Sequence, residues 1–333
     1  MLEKDIPSVL AKELSVTPKQ IEDTVALLDE GNTVPFIARY RKEATGGLDD
    51  EQLRVLSERL AYLRNFVKRQ EEILTKIEEL GKLTPELKAA IEKAVKLQEL
   101  EDLYLPYKQK KRTRAMMAKE RGLEPLAEMI ITQAAAEGTA LEAAAAFIDE
   151  EKEVPTAEDA LAGARDIVAE QVAEDAALRQ EMREHLGRTA LLATEANPKG
   201  DPAEAKTFQM YAEFSEPVRT LPSHRVLAIN RGEKKDCLKV TLITDHEANV
   251  KRMERRVMKK GRTSPFDEAL HEAIEDGYKR LLLPALEREI RGALTDVSSE
   301  TVVSSATSAM PATFSPETSA VPAPARAKPA VSS

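Results

Sequence analysis

One apolar seam constrains this chain more than any other feature, and it lies between Asp50 and about Leu80. Asp49 is a helix N-cap and Gln52 stands three residues later to return the bond, while Leu48 and Leu53 flank them as a hydrophobic staple. Leu53, Leu56, Leu60, Leu63, Val67, Leu74 and Ile77 then follow at helical spacing, with Gln70 the polar interruption. A stripe this long predicts one helix that must bury a face on another helix. The favoured partner is intramolecular, because Thr84-Pro85 starts a second helix with Leu87, Ile91 and Val95 on one face. A dimeric coiled coil is the less favoured use of the seam.

The flanking segments carry the same period. Residues 1–30 read as two short helices, the second capped by Thr17 with Pro18 behind it and Ile21, Val25 and Leu28 on one face. Gly31 stops it. Residues 33–43 form an apolar knot followed by bases: Val34, Phe36 and Ile37 call for burial, Arg39, Arg41 and Lys42 for water or anions, and the Tyr40 ring for burial or stacking. Pro35 pushes Val34 towards extended geometry, so Val34-Pro35 reads as a turn between helices. Pro106 ends the hairpin. Residues 123–196 read as Ala-rich amphipathic helices broken at Gly138, Val154-Pro155 and Asn197-Pro198, with Thr156 as a cap.

Further on, Leu238, Val240 and Leu242 alternate with Lys239, Thr241 and Ile243, which predicts a strand. Val226 to Ile229 is too short to assign. Helical signals resume at Glu247 to Lys260 and again from Ser264-Pro265, with Pro284 kinking or dividing the last helix. Residues 297–333 are mostly Ser, Thr, Ala, Pro and Val without period, as in a disordered tail. The expected fold is therefore mainly α. It comprises a helix-turn-helix-like part with the long helix (1–80), a helical region (81–200), a mixed segment with a short strand and terminal helices (201–296), and the tail (297–333).

Composition limits the functional classes. The 333 residues include one cysteine, Cys237, so no disulfide framework exists, and no long uncharged apolar run suggests a membrane span. The expectation is a cytoplasmic protein without membrane contact. The net charge of −9 is uneven: residues 137–184 hold 14 acids against 4 bases, expected as a solvated helical face. The four histidines are scattered without metal-ligand spacing, and no phosphate-binding loop is present. Gly46-Gly47 and Arg231-Gly232 read as turns. No catalytic residues, metal or cofactor are expected, and the chain is not read as an enzyme.

Two basic clusters are the better candidates. Lys108, Lys110, Lys111, Arg112 and Arg114 put five bases in seven residues, beside Tyr104 and Tyr107. Bases next to aromatics suit an anionic backbone and a stacking surface. Residues 251–262 put seven bases in twelve: Lys251, Arg252, Arg255, Arg256, Lys259, Lys260 and Arg262. If helical, Arg252, Arg255, Arg256 and Lys259 form a stripe, with Val250, Met253 and Val257 facing the core, suited to phosphates rather than base edges. From charge runs alone, a solvated surface paired to nearby acids is the more frequent explanation.

Four strings carry a resemblance to a known family: Asn32–Glu43, Leu100–Lys108 with the basic run behind it, Ser223–Glu233, and Asp276–Pro284. In that order they resemble the Tex family of bacterial transcription accessory proteins over about residues 1–296. The resemblance implies the helical N-terminal region of a nucleic-acid-binding protein involved in transcription. Tex-like proteins continue with a ribonuclease-H-like domain of the YqgF type, helix-hairpin-helix modules and an OB-fold RNA-binding domain. The family pattern gives way at about Val297, so a truncated or frameshift-derived end is expected, with apolar surface at Leu282, Leu286 and Ile290 exposed by it.

Two functional readings follow. In the first, the chain is a transcription accessory protein whose two basic clusters, with Arg39, Arg41 and Lys42 as weaker contributors, hold the RNA or DNA backbone without reading sequence. In the second, it is a helical scaffold for the transcription machinery with no nucleic-acid contact.

Overall fold

The structure is a computed structural model. It describes the backbone of residues 3–109, 111–135, 137–259, 261 and 263–308, and side chains as far as 296, except that of residue 3. In chain order the elements are α1 (Ile6–Leu14), α2 (Pro18–Asp29), α3 (Val34–Tyr40), α4 (Asp50–Glu79), α5 (Pro85–Lys93), α6 (Leu97–Tyr104), α7 (Arg114–Glu120), α8 (Glu124–Ile131), α9 (Ala140–Ala144), α10 (Ala157–Glu174) and α11 (Ala176–Thr189). Then come β1 (Leu191–Ala196), α12 (Pro202–Ala205), β2 (Glu213–Pro217), α13 (Ser223–Lys234), β3 (Leu238–Ile243), α14 (His246–Val257), α15 (Asp267–Asp276), a π-helical segment (Gly277–Leu282) and α16 (Leu283–Ser308). The chain is thus mainly α with one small sheet. Most of the tail expected from 297, residues 309–333, lies outside the described residues; the backbone of 297–308 continues α16.

Contacts divide the chain into two compact units. The first comprises Met1–Ala193, Ser215–Arg219 and Thr241–Ile290. Its N-terminal part is built on α4, which starts where the capping signals place it: Gln52 N donates to Asp49 Oδ1 at 2.8 Å and Asp49 N to Gln52 Oε1 at 3.1 Å. Helices α1, α2, α3, α5 and α6 all pack on α4. The seam buries Leu53, Leu56, Leu60, Leu63, Val67 and Ile77 as read from spacing. It also buries Phe66 and Ile73, while Leu74 is only partly covered, because a straight helix drifts from a 3.5-residue repeat. Gln70 is buried and donates to the Ile91 carbonyl at 2.7 Å, locking the hairpin. Val95 lies beyond α5 and is 69% exposed, unlike the expected third member of that face.

Two sequence readings are corrected here. Val34-Pro35 is the first turn of α3 rather than a turn between helices, and the extended residue is Thr33 (φ −79°, ψ 150°). Proline is compatible with a first turn, where its missing N–H has no helical partner. Leu282, Leu286 and Ile290 are buried, not exposed, so no apolar edge forms there.

The rest of the first unit is organised on α10, which packs against α7, α8, α9, α15 and the π-helical segment. Its buried residues are small or β-branched: Ala160, Ala164, Ile167, Val168, Ala169, Val172 and Ala173. Neighbours approach closely as a result; a Cβ at Gly277 would stand 2.7 Å from the Ala169 carbonyl oxygen. The π-helical segment ends two residues before Pro284, which has no N–H to continue the α-helical ladder. Asp102 of α6 is buried beneath α11. It accepts from Arg179 Nε at 3.0 Å and Arg183 Nη2 at 2.8 Å, and both arginines also reach Glu289 of α16.

The second unit comprises Thr194–Phe214, Thr220–Val240 and Arg291–Ser333. Within it α13 occupies Ser223–Lys234, so Val226–Ile229 is helical and Gly232 is not a turn. Gly232 is buried; a Cβ there would stand 2.6 Å from Leu238 Cδ1 and 3.0 Å from Phe208. Arg291 pairs with Glu233, and Asn230 Nδ2 donates to Thr295 Oγ1 at 2.8 Å. The strands form one sheet of order β2-β1-β3. Bonds from Val218 N to Ala190 O and from Ala196 N to Ala212 O make β1 and β2 antiparallel. Of the three strands, only β3 is visible in sequence alternation.

Candidate nucleic-acid interface

The first basic cluster occupies the irregular stretch after α6 and the start of α7. Lys108, Lys111, Arg112 and Arg114 are exposed, and Lys110 lies outside the described residues. Thr113 caps α7 by accepting from Met116 N at 3.1 Å, which fixes where Arg114 begins the helix. Arg112 pairs with Glu120 at 2.8 Å, with both side chains more than half exposed. Lys108 and Lys111 have no ion-pair partner among the described residues. The aromatic neighbours do not supply the expected stacking surface. Tyr104 is buried, with Arg69 over its ring at 5.4 Å and Lys76 at 5.9 Å, and Tyr107 is partly covered.

The second cluster lies on α14 and just beyond it. Asp245 caps the helix by accepting from Ala248 N at 3.0 Å. Buried Asn249 donates to Thr244 Oγ1 and to the Tyr278 hydroxyl, each at 2.8 Å, and Val250 and Met253 face the core as spacing predicts. Burial pushes the Tyr278 phenol pKa up, so it stays neutral in this network. The outer face is less free than the charge run suggests. Arg252 pairs with Glu181 of α11 at 3.2 Å, Arg256 reaches the same carboxylate at 3.9 Å, and Lys251 pairs with Glu247 at 2.5 Å.

Lys259 stands past the end of the helix, outside the predicted stripe. Its backbone N–H donates to Gln133 Oε1 and its ammonium to the Thr132 carbonyl, both at 2.6 Å. Arg255 is exposed without an ion-pair partner among the described residues. Lys260 and Arg262 lie outside them. The Arg252 and Arg188 charges, after the larger effect of burial, hold the His185 pKa below its ordinary value.

The third group is the end of α3. Arg39, Arg41 and Lys42 are exposed, and none has an ion pair among the described residues. Phe36, read from sequence as a core residue, is 39% exposed and Tyr40 is 64% exposed. Their ring centroids are 5.2 Å apart, and the Arg41 guanidinium carbon lies 5.9 Å from the Phe36 centroid. The signal was present: in a helix, positions 36 and 40 share a face, and Ile37 takes the buried one.

A depression of about 580 Å³ beside Arg256 is also lined by Gln171 and Asp175. The Asp175 carboxylate is occupied as the α11 cap, accepting from Leu178 N at 2.6 Å. No group of three or more His, Cys, Asp or Glu residues is placed to hold a metal among the described residues. Among the described residues, no helix is long and apolar enough to cross a membrane.

Comparison with known proteins adds a separate finding. Residues 4–78 match the family described as Tex-like protein N-terminal domain, and residues 136–305 match Tex central region-like. The Bacillus subtilis protein YdcI is 45% identical over 294 residues, covering 88% of this chain and 41% of that protein. Protein tex of Bordetella pertussis is 50% identical over 241 residues, 72% of this chain and 30% of its own. Transcriptional accessory protein Tex of Neisseria gonorrhoeae is 48% identical over 238 residues, 72% and 31% respectively. The chain therefore spans less than half the length of each of these relatives.

Proposed function

This chain belongs to the Tex family of transcription accessory proteins, and from that premise we propose that it contacts RNA or DNA directly, as a cytoplasmic, non-catalytic accessory to transcription. Contact is electrostatic and independent of sequence. The observation that carries the reading is the exposed set Lys108, Lys111, Arg112 and Arg114, in which the two lysines have no ion pair among the described residues and Arg112 holds a solvent-exposed one. Exposed ion pairs contribute only about 0–1 kcal/mol, so a phosphate can displace Glu120 at little cost. On α14, Arg255 is the freest contributor, and Arg252 and Arg256 must first release Glu181. No metal or cofactor takes part.

A second reading, a helical scaffold for the transcription machinery without nucleic-acid contact, is favoured by the internal engagement of Lys251, Arg252, Arg256 and Lys259. Fluorescence anisotropy with labelled single-stranded RNA and with duplex DNA separates the two. Retention at near-physiological salt that is lost on joint substitution of Lys108, Lys111, Arg112 and Arg114 by Gln supports the first reading. No retention of either nucleic acid by the wild-type chain leaves the scaffold.

A further inference from the structure

We propose that Phe36 and Tyr40, with Arg39, Arg41 and Lys42 around them, form a stacking platform for unpaired bases of single-stranded nucleic acid. The inference rests on the reading that this chain contacts nucleic acid, and it adds a separate site with a different physical basis. Two aromatic side chains on one face of α3 remain in water although Ile37, between them in sequence, is fully buried. Their rings are already in contact, and one guanidinium lies near the Phe36 ring. Three cations surround them, and Glu43 is the one carboxylate within residues 33–47. An apolar protein partner has no use for three cations around its contact that hold no ion pair among the described residues. A single strand uses both features, stacking its bases on the rings while its phosphates meet the Arg and Lys side chains.

The platform is also held firmly. Buried Thr45 donates to the Lys42 carbonyl at 3.1 Å, closing the turn after α3. Gly46 (φ 64°) and Gly47 (φ 89°) take left-handed conformations there, and the Gly46 carbonyl accepts from Gln20 Nε2 of α2 at 3.0 Å. A rigid aromatic surface loses little conformational freedom when a base stacks on it.

The sequence contains no tryptophan, so Tyr40→Trp creates a single reporter at the platform. The full chain carrying it is titrated with a single-stranded RNA oligonucleotide, a duplex of equal length, and inorganic polyphosphate. The expected result is Trp quenching by the single strand and not by polyphosphate. Tyr40→Ala weakens single-strand binding roughly fivefold or more, and Tyr40→Phe restores it. Equal quenching by polyphosphate overturns the stacking role. So does RNA that is bound, by anisotropy, without quenching, or with equal affinity for the Ala variant; the reading of Lys108–Arg114 then survives. RNA that is not retained at all overturns both.

Discussion

At the residue scale, what decides the use of a charge here is whether a partner already holds it. Asp102 is 3% exposed and answers two arginines, one of them, Arg179, itself nearly buried. Asp102→Ala removes one of the two carboxylates that hold that guanidinium and leaves Glu289 as the other, so it should destabilise the chain by roughly 1.5–3 kcal/mol in urea unfolding, whereas a loss below about 1 kcal/mol would mean that water replaces the carboxylate. His185 offers a gentler probe. Its pKa sits below the ordinary value of about 6.5 through burial first and the Arg252 charge second. The unfolded chain therefore takes up this proton first as pH falls. The contribution to stability is present above about 6.5 and is lost towards the lower folded pKa. Arg252→Gln should raise the His185 pKa in an NMR titration, and an unchanged value would remove Arg252 as a cause. Sequence alone placed these charges on helices but could not pair them. Glu181 meets Arg252 across 71 residues of chain, and nothing local encodes that distance.

At the scale of elements, local signals were reliable where capping chemistry is strong. Asp49 and Gln52 fixed the start of α4, and Thr84 fixed that of α5. They failed where pairing partners decide. Leu191–Ala196 is made of good helix formers yet becomes β1, because its ladder bonds come from β2 and β3. Val34-Pro35 misled in the opposite direction, since the same dipeptide fits a first helical turn. The aromatic pair on α3 was hidden by that misreading, as the shared face of positions 36 and 40 exists only in a helix. Close helix approach gives a prediction of its own: Gly277→Ala drives a methyl against the Ala169 carbonyl oxygen. The expected loss is roughly 1–3 kcal/mol by thermal or urea unfolding; wild-type stability would show that the π-helical segment shifts freely away from α10.

At the scale of the whole molecule, the net charge of −9 obscures the local pattern on which the proposed activity depends. Acids dominate residues 137–184, and two of the α14 bases, Arg252 and Arg256, share one of them, Glu181, while Lys108, Lys111, Arg112 and Arg114 are left to solvent. Family strings identified the chain more sharply than any charge count, but they did not show which bases are free. The most direct measurement is the dependence of RNA affinity on salt for the wild type, for the joint Gln substitution of Lys108, Lys111, Arg112 and Arg114, and for Arg252→Gln with Arg256→Gln. Each lost phosphate contact lowers the slope of log K against log salt by about 0.7 on a single strand. The account predicts that the first variant loses roughly 2 or more from that slope, with much weaker binding, and that the α14 variant changes little. Equal slopes for wild type and the first variant, or a larger loss in the α14 variant, would contradict it.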